Sequence, residues 1–161
     1  MKTKFILFFA LVFTGLMSTS CSKDADTTPE PAPVTAEHYF TCELDGDMYH
    51  SEGAYAYAVD FDGELNIYGV TGVDFEDAIY IQVPSNVTVG THSFNDEYFA
   101  YVVIGETAQS TRLEGGSGSV TIDAFDGKTI KGSFAFVAVD FDDASVKREV
   151  KEGTFQVDIN D

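Results

Sequence analysis

"AYAVDFDGELNIYGV", residues 56–70, sets two runs of alternating side chains on either side of Asp62-Gly63. A period of two sends successive side chains to opposite faces of an extended chain, and Asp-Gly between two such runs is a strong hairpin signal. The stretch therefore reads as two antiparallel strands, and the same pattern recurs along the chain. Phe40, Cys42 and Leu44 share one phase, as do Ile79, Ile81 and Val83. So do Val120 and Ile122, then Ile130, Phe134 and Phe136, and last Phe155, Val157 and Ile159. No long segment carries a helical period. The expected fold is all-β, an antiparallel two-sheet β-sandwich over residues 37–161, the size of one ordinary domain.

Asp-Gly stands between strands three times, at Asp45-Gly46, Asp62-Gly63 and Asp126-Gly127. The loop length there decides which face each side chain takes, because a slip of one residue turns a whole strand over. Two-residue loops would put Tyr57 and Val59 on the face opposite Leu65 and Ile67. Three-residue loops of the form x-Asp-Gly, with a left-handed glycine in a bulge, bring the large apolar residues together. Val59 then faces Leu65, and Tyr57 faces Ile67. The same rule sets Cys42 opposite Met48, Phe40 opposite His50, and Ile122 opposite Ile130. The sequence thus predicts three-residue loops with glycine at positive φ in all three. On this reading "VDFDG" at 59–63, "VDFED" at 73–77 and "VDFDD" at 139–143 are mainly strands running out into acidic turns.

The chain opens "MKTKFILFFALVFTGLMSTSCSKD", two lysines and a short apolar run that ends among small residues at Cys21. The run is too short for a bilayer, which needs about 20 apolar residues, so residues 1–20 read as an export signal. The arrangement resembles a lipoprotein signal, which implies that cleavage leaves Cys21 as a lipidated N-terminus. Ser18 departs from that pattern, standing where leucine is usual. Residues 22–36, "SKDADTTPEPAPVTA", are rich in Pro, Thr and acid and read as a flexible tether. "SKDAD" is similar to the Lys-plus-acidic tag of Bacteroidetes lipoproteins sent to the cell surface, and "DTT" to an O-glycan acceptor of the same bacteria. These likenesses imply a lipid-anchored outer-membrane protein facing the medium, touching the membrane through its anchor alone.

The whole chain carries a net charge of −18, from 9 Lys and Arg against 27 Asp and Glu. Loss of Lys2 and Lys4 with the signal would take it to −20. Such a surface repels nucleic acid and anionic lipid. With Cys21 committed to lipid, Cys42 has no partner for a disulfide, and its place in the alternation "FTCEL" suits a small buried hydrophobe.

Few residues point to chemistry. Asp60, Asp62 and Glu64, with Asp140, Asp142 and Asp143, supply hard oxygens that suit calcium if the turns converge, although none has the spacing of an EF-hand loop. His38, His50 and His92 form no ligand pair. "GGSGS" at 115–119 lacks the lysine of a phosphate loop and the last glycine of a nucleophile elbow, and reads as entry into a strand. No nucleophile, base or metal set is recognisable, so no catalytic residue is assigned. The tyrosines suggest more: Tyr55, Tyr57, Tyr98 and Tyr101 are the candidate ligand-binding face, since exposed aromatics on a sheet bind sugars or protein partners.

The C-terminal third, "GSVTI" at 118–122, "IKGSFAFVA" at 130–138 and "VKEGTFQVDI" at 150–159, resembles the closing motif of small Bacteroidetes surface lipoproteins of unassigned function. "TVGTHSF" at 88–94 is similar to an upstream turn of that group. The resemblance implies a secreted β-sandwich and brings no catalytic residues with it. The expected function is a non-catalytic extracellular binding module for a glycan or a partner protein. The alternative is a calcium-stabilised structural or adhesive domain.

Overall fold

The computed structural model describes residues 37–71 and 77–160. The export signal, Cys21, the tether and all but the last residue of the second VDF repeat lie outside them. Eleven strands form among the described residues: β1 (Tyr39–Leu44), β2 (Asp47–Glu52), β3 (Ala56–Phe61), β4 (Glu64–Thr71), β5 (Asp77–Pro84) and β6 (Gly90–Ser93). They continue with β7 (Phe99–Ile104), β8 (Thr107–Ser110), β9 (Ser117–Phe125), β10 (Thr129–Asp140) and β11 (Lys147–Asn160). One 3₁₀ turn, Gly53–Tyr55, links β2 to β3.

Hydrogen bonding runs in the order β2-β1-β11-β3-β4-β5-β7-β8-β10-β9-β6, and β11 also pairs with β10. That additional pairing closes the one eleven-stranded sheet on itself, and two antiparallel stretches of it, β2-β1-β11-β10-β9-β6 and β3-β4-β5-β7-β8, form the layers that share the core. The layers join at one margin where Ile159 and Asn160 pair in parallel with Ala58 and Val59. At the other margin Val139 and Asp140 pair with Ser110 and Gln109. The all-β sandwich expected from the alternation is the observed fold, with this short parallel contact as its only parallel pairing among the described residues.

The core draws on both layers. Phe40, Phe155, Phe134, Ile122 and Ile130 from one meet Ile67, Ile79, Ile81, Leu65 and Val102 from the other. Phe40 is central, with its ring centroid 4.8 Å from that of Phe134 and 6.5 Å from those of Phe155 and Tyr49. Its ring rests on the backbone of β4 at Gly69, where an added Cβ would lie 2.3 Å from Phe40 Cδ1. The β1–β2 hairpin is fastened to the same place by hydroxyls. Tyr49 Oη donates to the Gly69 carbonyl at 2.8 Å, and Ser51 Oγ to the Val70 carbonyl at 2.8 Å. Cys42 is buried and unpaired, as its alternation indicates, and burial pushes its thiol up to about 12.

The turns correct the expected register. Asp45-Gly46 and Asp62-Gly63 are two-residue loops, with Leu44 paired to Asp47 and Phe61 paired to Glu64. All three glycines do have positive φ, at 94°, 85° and 84°, but Asp45 and Asp62 are left-handed too, at 54° and 53°. Both central residues with φ above zero make a type I′ turn, which aspartate tolerates and which matches the twist of a tight hairpin. Val59 therefore faces Asn66 rather than Leu65, and Tyr57 faces Tyr68 rather than Ile67. Cys42 pairs with Tyr49 rather than Met48, and Phe40 with Ser51 rather than His50. His50 is thus exposed and not on the core stripe. In the third hairpin Ile130 pairs with Phe125, and a bulge next to Lys131 sets Ile122 opposite Gly132 rather than Ile130.

The reason lies across the core. The inward residues of β3 are Ala56 and Ala58, and Ala56 neighbours Gly69, so this part of the inner face is small where Phe40 fills it. Large residues on that row would collide with the opposite layer, which sends Tyr57 outward.

Replacing Gly69 by Ala should lower stability by about 1–3 kcal/mol, the usual cost of overpacking. A lower urea midpoint at unchanged slope would show it. Phe40→Leu in the Gly69→Ala background should recover part of the loss, giving non-additivity in a double-mutant cycle.

Candidate functional site: an aromatic ladder on one sheet face

Because Asp62-Gly63 turns Tyr57 outward, a row of phenols forms across four strands. Tyr57 on β3 pairs with Tyr68 on β4, Tyr68 with Tyr80 on β5, and Tyr80 with Tyr101 on β7. Successive ring centroids are 5.0, 5.4 and 4.8 Å apart, with interplanar angles of 23°, 34° and 22°. Phe141, just beyond β10, continues the stack at 6.0 Å and 11° from Tyr101. Phe99 meets Tyr101 edge-on at 5.5 Å, and the Arg112 guanidinium carbon lies 4.7 Å over the Phe99 ring.

The rows beside the ladder are uncharged. Val59, Asn66, Gln82 and Phe99 are cross-strand neighbours on one side, and Val70, Ala78, Val103 and Ala108 on the other. Acids begin at the margins. Asp60, Asp62 and Glu64 stand exposed at the β3–β4 turn, Glu106 at the β7–β8 turn, and Asp142 and Asp143 past Phe141.

Tyr68 and Tyr80, the inner two, are held neutral. Burial raises Tyr68 above the ordinary tyrosine range, with the neighbouring Tyr57 adding to it. Burial likewise raises Tyr80, helped by Tyr101 and Tyr68 on either side, since two phenolates cannot stand this close cheaply. Each hydroxyl therefore remains both a donor and an acceptor near neutral pH. Stacking at strand spacing covers both faces of Tyr68 and Tyr80 and leaves their edges and hydroxyls for contact. The outer surface of the other layer is chemically different. There Thr91, Thr121, Ser133, Thr154 and Thr41 line up across five strands, next to charged residues such as Lys131 and Glu43.

Of the four tyrosines singled out by sequence, Tyr57 and Tyr101 belong to the ladder. Tyr98 instead stacks on His92, with centroids 4.6 Å apart, and Tyr55 sits exposed on the 3₁₀ turn. The four do not form one cluster. Tyr68 and Tyr80 complete the row; neither is among the four that the sequence singles out, although each occupies the outward phase of its strand, Tyr68 beside Ile67 and Tyr80 between Ile79 and Ile81.

The acidic turns stay apart. Among the described residues no group of three His, Cys, Asp or Glu is placed to hold a metal ion. Asp60, Asp62 and Glu64 are therefore not gathered with Asp140, Asp142 and Asp143. Asp140 is occupied within its own turn: Oδ1 accepts from the Asp142 and Asp143 N–H groups, and Oδ2 from Gln109 Nε2 at 2.7 Å. Those hydrogen bonds, the Asp142 N–H first, hold its carboxyl below the usual range. Asp143 is held low in the same way by the hydroxyl and N–H of Ser145. The histidines also lie apart, His38 on Asp158 at 3.0 Å, His50 on Glu52 at 3.4 Å and His92 on the Thr88 carbonyl at 2.8 Å. A depression of about 500 Å³ lies at the β1–β2 hairpin, lined by Tyr49, His50, Thr71, Asp77, Ile104 and Arg148 among others.

The profile of a domain of unknown function, DUF6252, matches residues 36–157. The chain belongs to the DUF6252 family. No curated protein and no solved structure matches it.

The phenols set an alkaline limit on stability. Tyr68 and Tyr80 are raised from the ordinary value of 10.0, and Tyr49 is raised by burial to about 12. A raised folded value means that their contribution is complete below pH 10 and is lost as pH rises through the folded values. The melting temperature should be flat near neutrality and fall above pH 10, and phenolate absorbance should resolve a late-ionising class of tyrosines that Tyr80→Phe makes smaller.

Proposed function

We propose that this DUF6252 chain is a cell-surface lipoprotein whose β-sandwich is a non-catalytic binding module, with the tyrosine ladder as its ligand surface for a glycan or a partner protein. One observation carries the reading. A chain with 27 acidic residues keeps three adjacent rows of one sheet face free of acid and fills the middle row with stacked phenols. Packing alone does not require this, since the ladder lies on the outer side of its layer. A contiguous aromatic face of this kind on a soluble domain usually serves an interaction. The export signal and Cys21 support a lipid anchor, and the Pro- and acid-rich residues up to 36 would hold the domain off the membrane.

Two measurements test it. Full-length protein made in a bacterium with an outer membrane should incorporate labelled fatty acid, and Cys21→Ser should abolish the label. Cells displaying the chain should adhere to wells coated with one or more of a set of extracellular glycans and proteins. Tyr68→Ser/Tyr80→Ser, displayed at the same level, should lose that adhesion, whereas equal adhesion by both chains would place the ligand surface elsewhere.

A further inference from the structure

We propose that the ladder face takes a cationic protein partner, an apolar or aromatic patch ringed by arginine and lysine. The inference rests on the reading of this face as the ligand surface. Three observations lead to it.

The first is the distribution of charge. The centre, from the Val59 row to the Val70 row, contains no acid, and exposed acids stand around it: Asp62 and Glu64 at one end of the strands, Glu106 at the other, and Asp142 and Asp143 beside Phe141. An uncharged aromatic centre with a polar rim is the anatomy of a protein interface. An acidic rim on a protein of net charge −18 draws in cations and excludes anions.

The second is a contact that the chain makes with itself. Arg112 already lays its guanidinium over Phe99 at the edge of this face, 4.7 Å from the ring centroid, with Asp96 at 4.0 Å. Cation on ring, with a carboxylate beside it, is the same chemistry that the rest of the face offers to an incoming arginine.

The third concerns the two other occupants. A sugar ring stacks on an open aromatic face, and the inner rings of the ladder have both faces covered by neighbours at 4.8–5.4 Å. A second copy of the chain would bring acidic rim against acidic rim. A protein surface can use the exposed edges and hydroxyls, which are what tyrosine contributes to interfaces.

The test uses the mature chain carrying Cys21→Ser, followed by amide NMR. The probes are three synthetic peptides of equal length and one neutral oligosaccharide, cellohexaose. One peptide alternates Arg with Tyr, the second replaces Arg by Glu, and the third replaces Tyr by Ser. The Arg-Tyr peptide should bind, with shifts centred on Tyr57, Tyr68, Tyr80 and Tyr101, and should weaken several-fold at physiological salt relative to low salt. Tyr68→Ser/Tyr80→Ser should weaken it about tenfold or more. Asp62→Asn/Glu64→Gln/Asp142→Asn, which leaves the ladder intact, should weaken it several-fold by slowing association.

Equal binding of the Arg-Ser peptide, unaffected by loss of the tyrosines, would reduce the effect to cations on an acidic surface and overturn the inference. Cellohexaose shifting the ladder where the Arg-Tyr peptide does not would overturn it and leave the face standing as a ligand surface. Shifts at the ladder that depend on protein concentration alone would assign the face to a second copy. No shift at the ladder with any probe would overturn this inference, whereas equal adhesion of the displayed wild-type and Tyr68→Ser/Tyr80→Ser chains would remove the reading beneath it.

Discussion

Phe40 resting on the bare backbone of Gly69 is the contact on which the rest of the molecule depends. It brings β1 of one layer against β4 of the other more closely than any side chain at position 69 would allow. The hydroxyls of Tyr49 and Ser51 fix the same hairpin to the carbonyls of Gly69 and Val70, so both apolar and polar groups of β1–β2 close over β4. Once this approach is set, the neighbouring inward positions must be small. Ala56 and Ala58 satisfy that requirement, and the bulk of β3 has only the outside left to occupy.

The surface follows from that constraint. Tyr57 faces outward because Ala56 and Ala58 face inward, and the pairing of β3 with β4, β5 and β7 then aligns Tyr57, Tyr68, Tyr80 and Tyr101 in one row. Cross-strand aromatic pairs stabilise the layer, at roughly 0.2–1 kcal/mol each, so the same residues that would meet a ligand also stiffen the sheet that presents them. A rigid, flat, pre-formed surface loses little freedom on binding. The two layers thereby divide the outer chemistry, phenols on one and hydroxyls with charges on the other.

The acidic turns belong to the local grammar of the chain. Asp140 and Asp143 spend their oxygens on nearby N–H groups and hydroxyls, as short acidic side chains commonly do in turns. Asp45 performs a similar service at longer range, accepting from the Glu149 N–H and pairing with Arg148 at 2.7 Å. Where "VDF" recurs within the described residues, at 59–63 and 139–143, a strand does end in a turn. Val59, however, ends an outward row rather than the core stripe, while Val139 is buried.

The sequence by itself determined the all-β class, most of the strands and their inward residues in β1, β4, β5, β9, β10 and β11. Alternation is a local property, and Phe40, Ile67, Ile81, Ile122 and Phe155 show it without reference to any neighbour. It also determined the left-handed glycines of the three turns, which follow from Asp-Gly between strands. Only the tertiary structure decided the loop lengths, and with them the register. A preference for large residues inside favoured three-residue loops, whereas the approach of Phe40 to Gly69 required small ones and made type I′ turns the consistent solution. The ladder was therefore hidden in plain composition: its four tyrosines lie on four strands, and nothing local to Tyr57 or Tyr80 says that they stand side by side. Register across a sheet depends on what packs against its other face, and that is information no single strand contains.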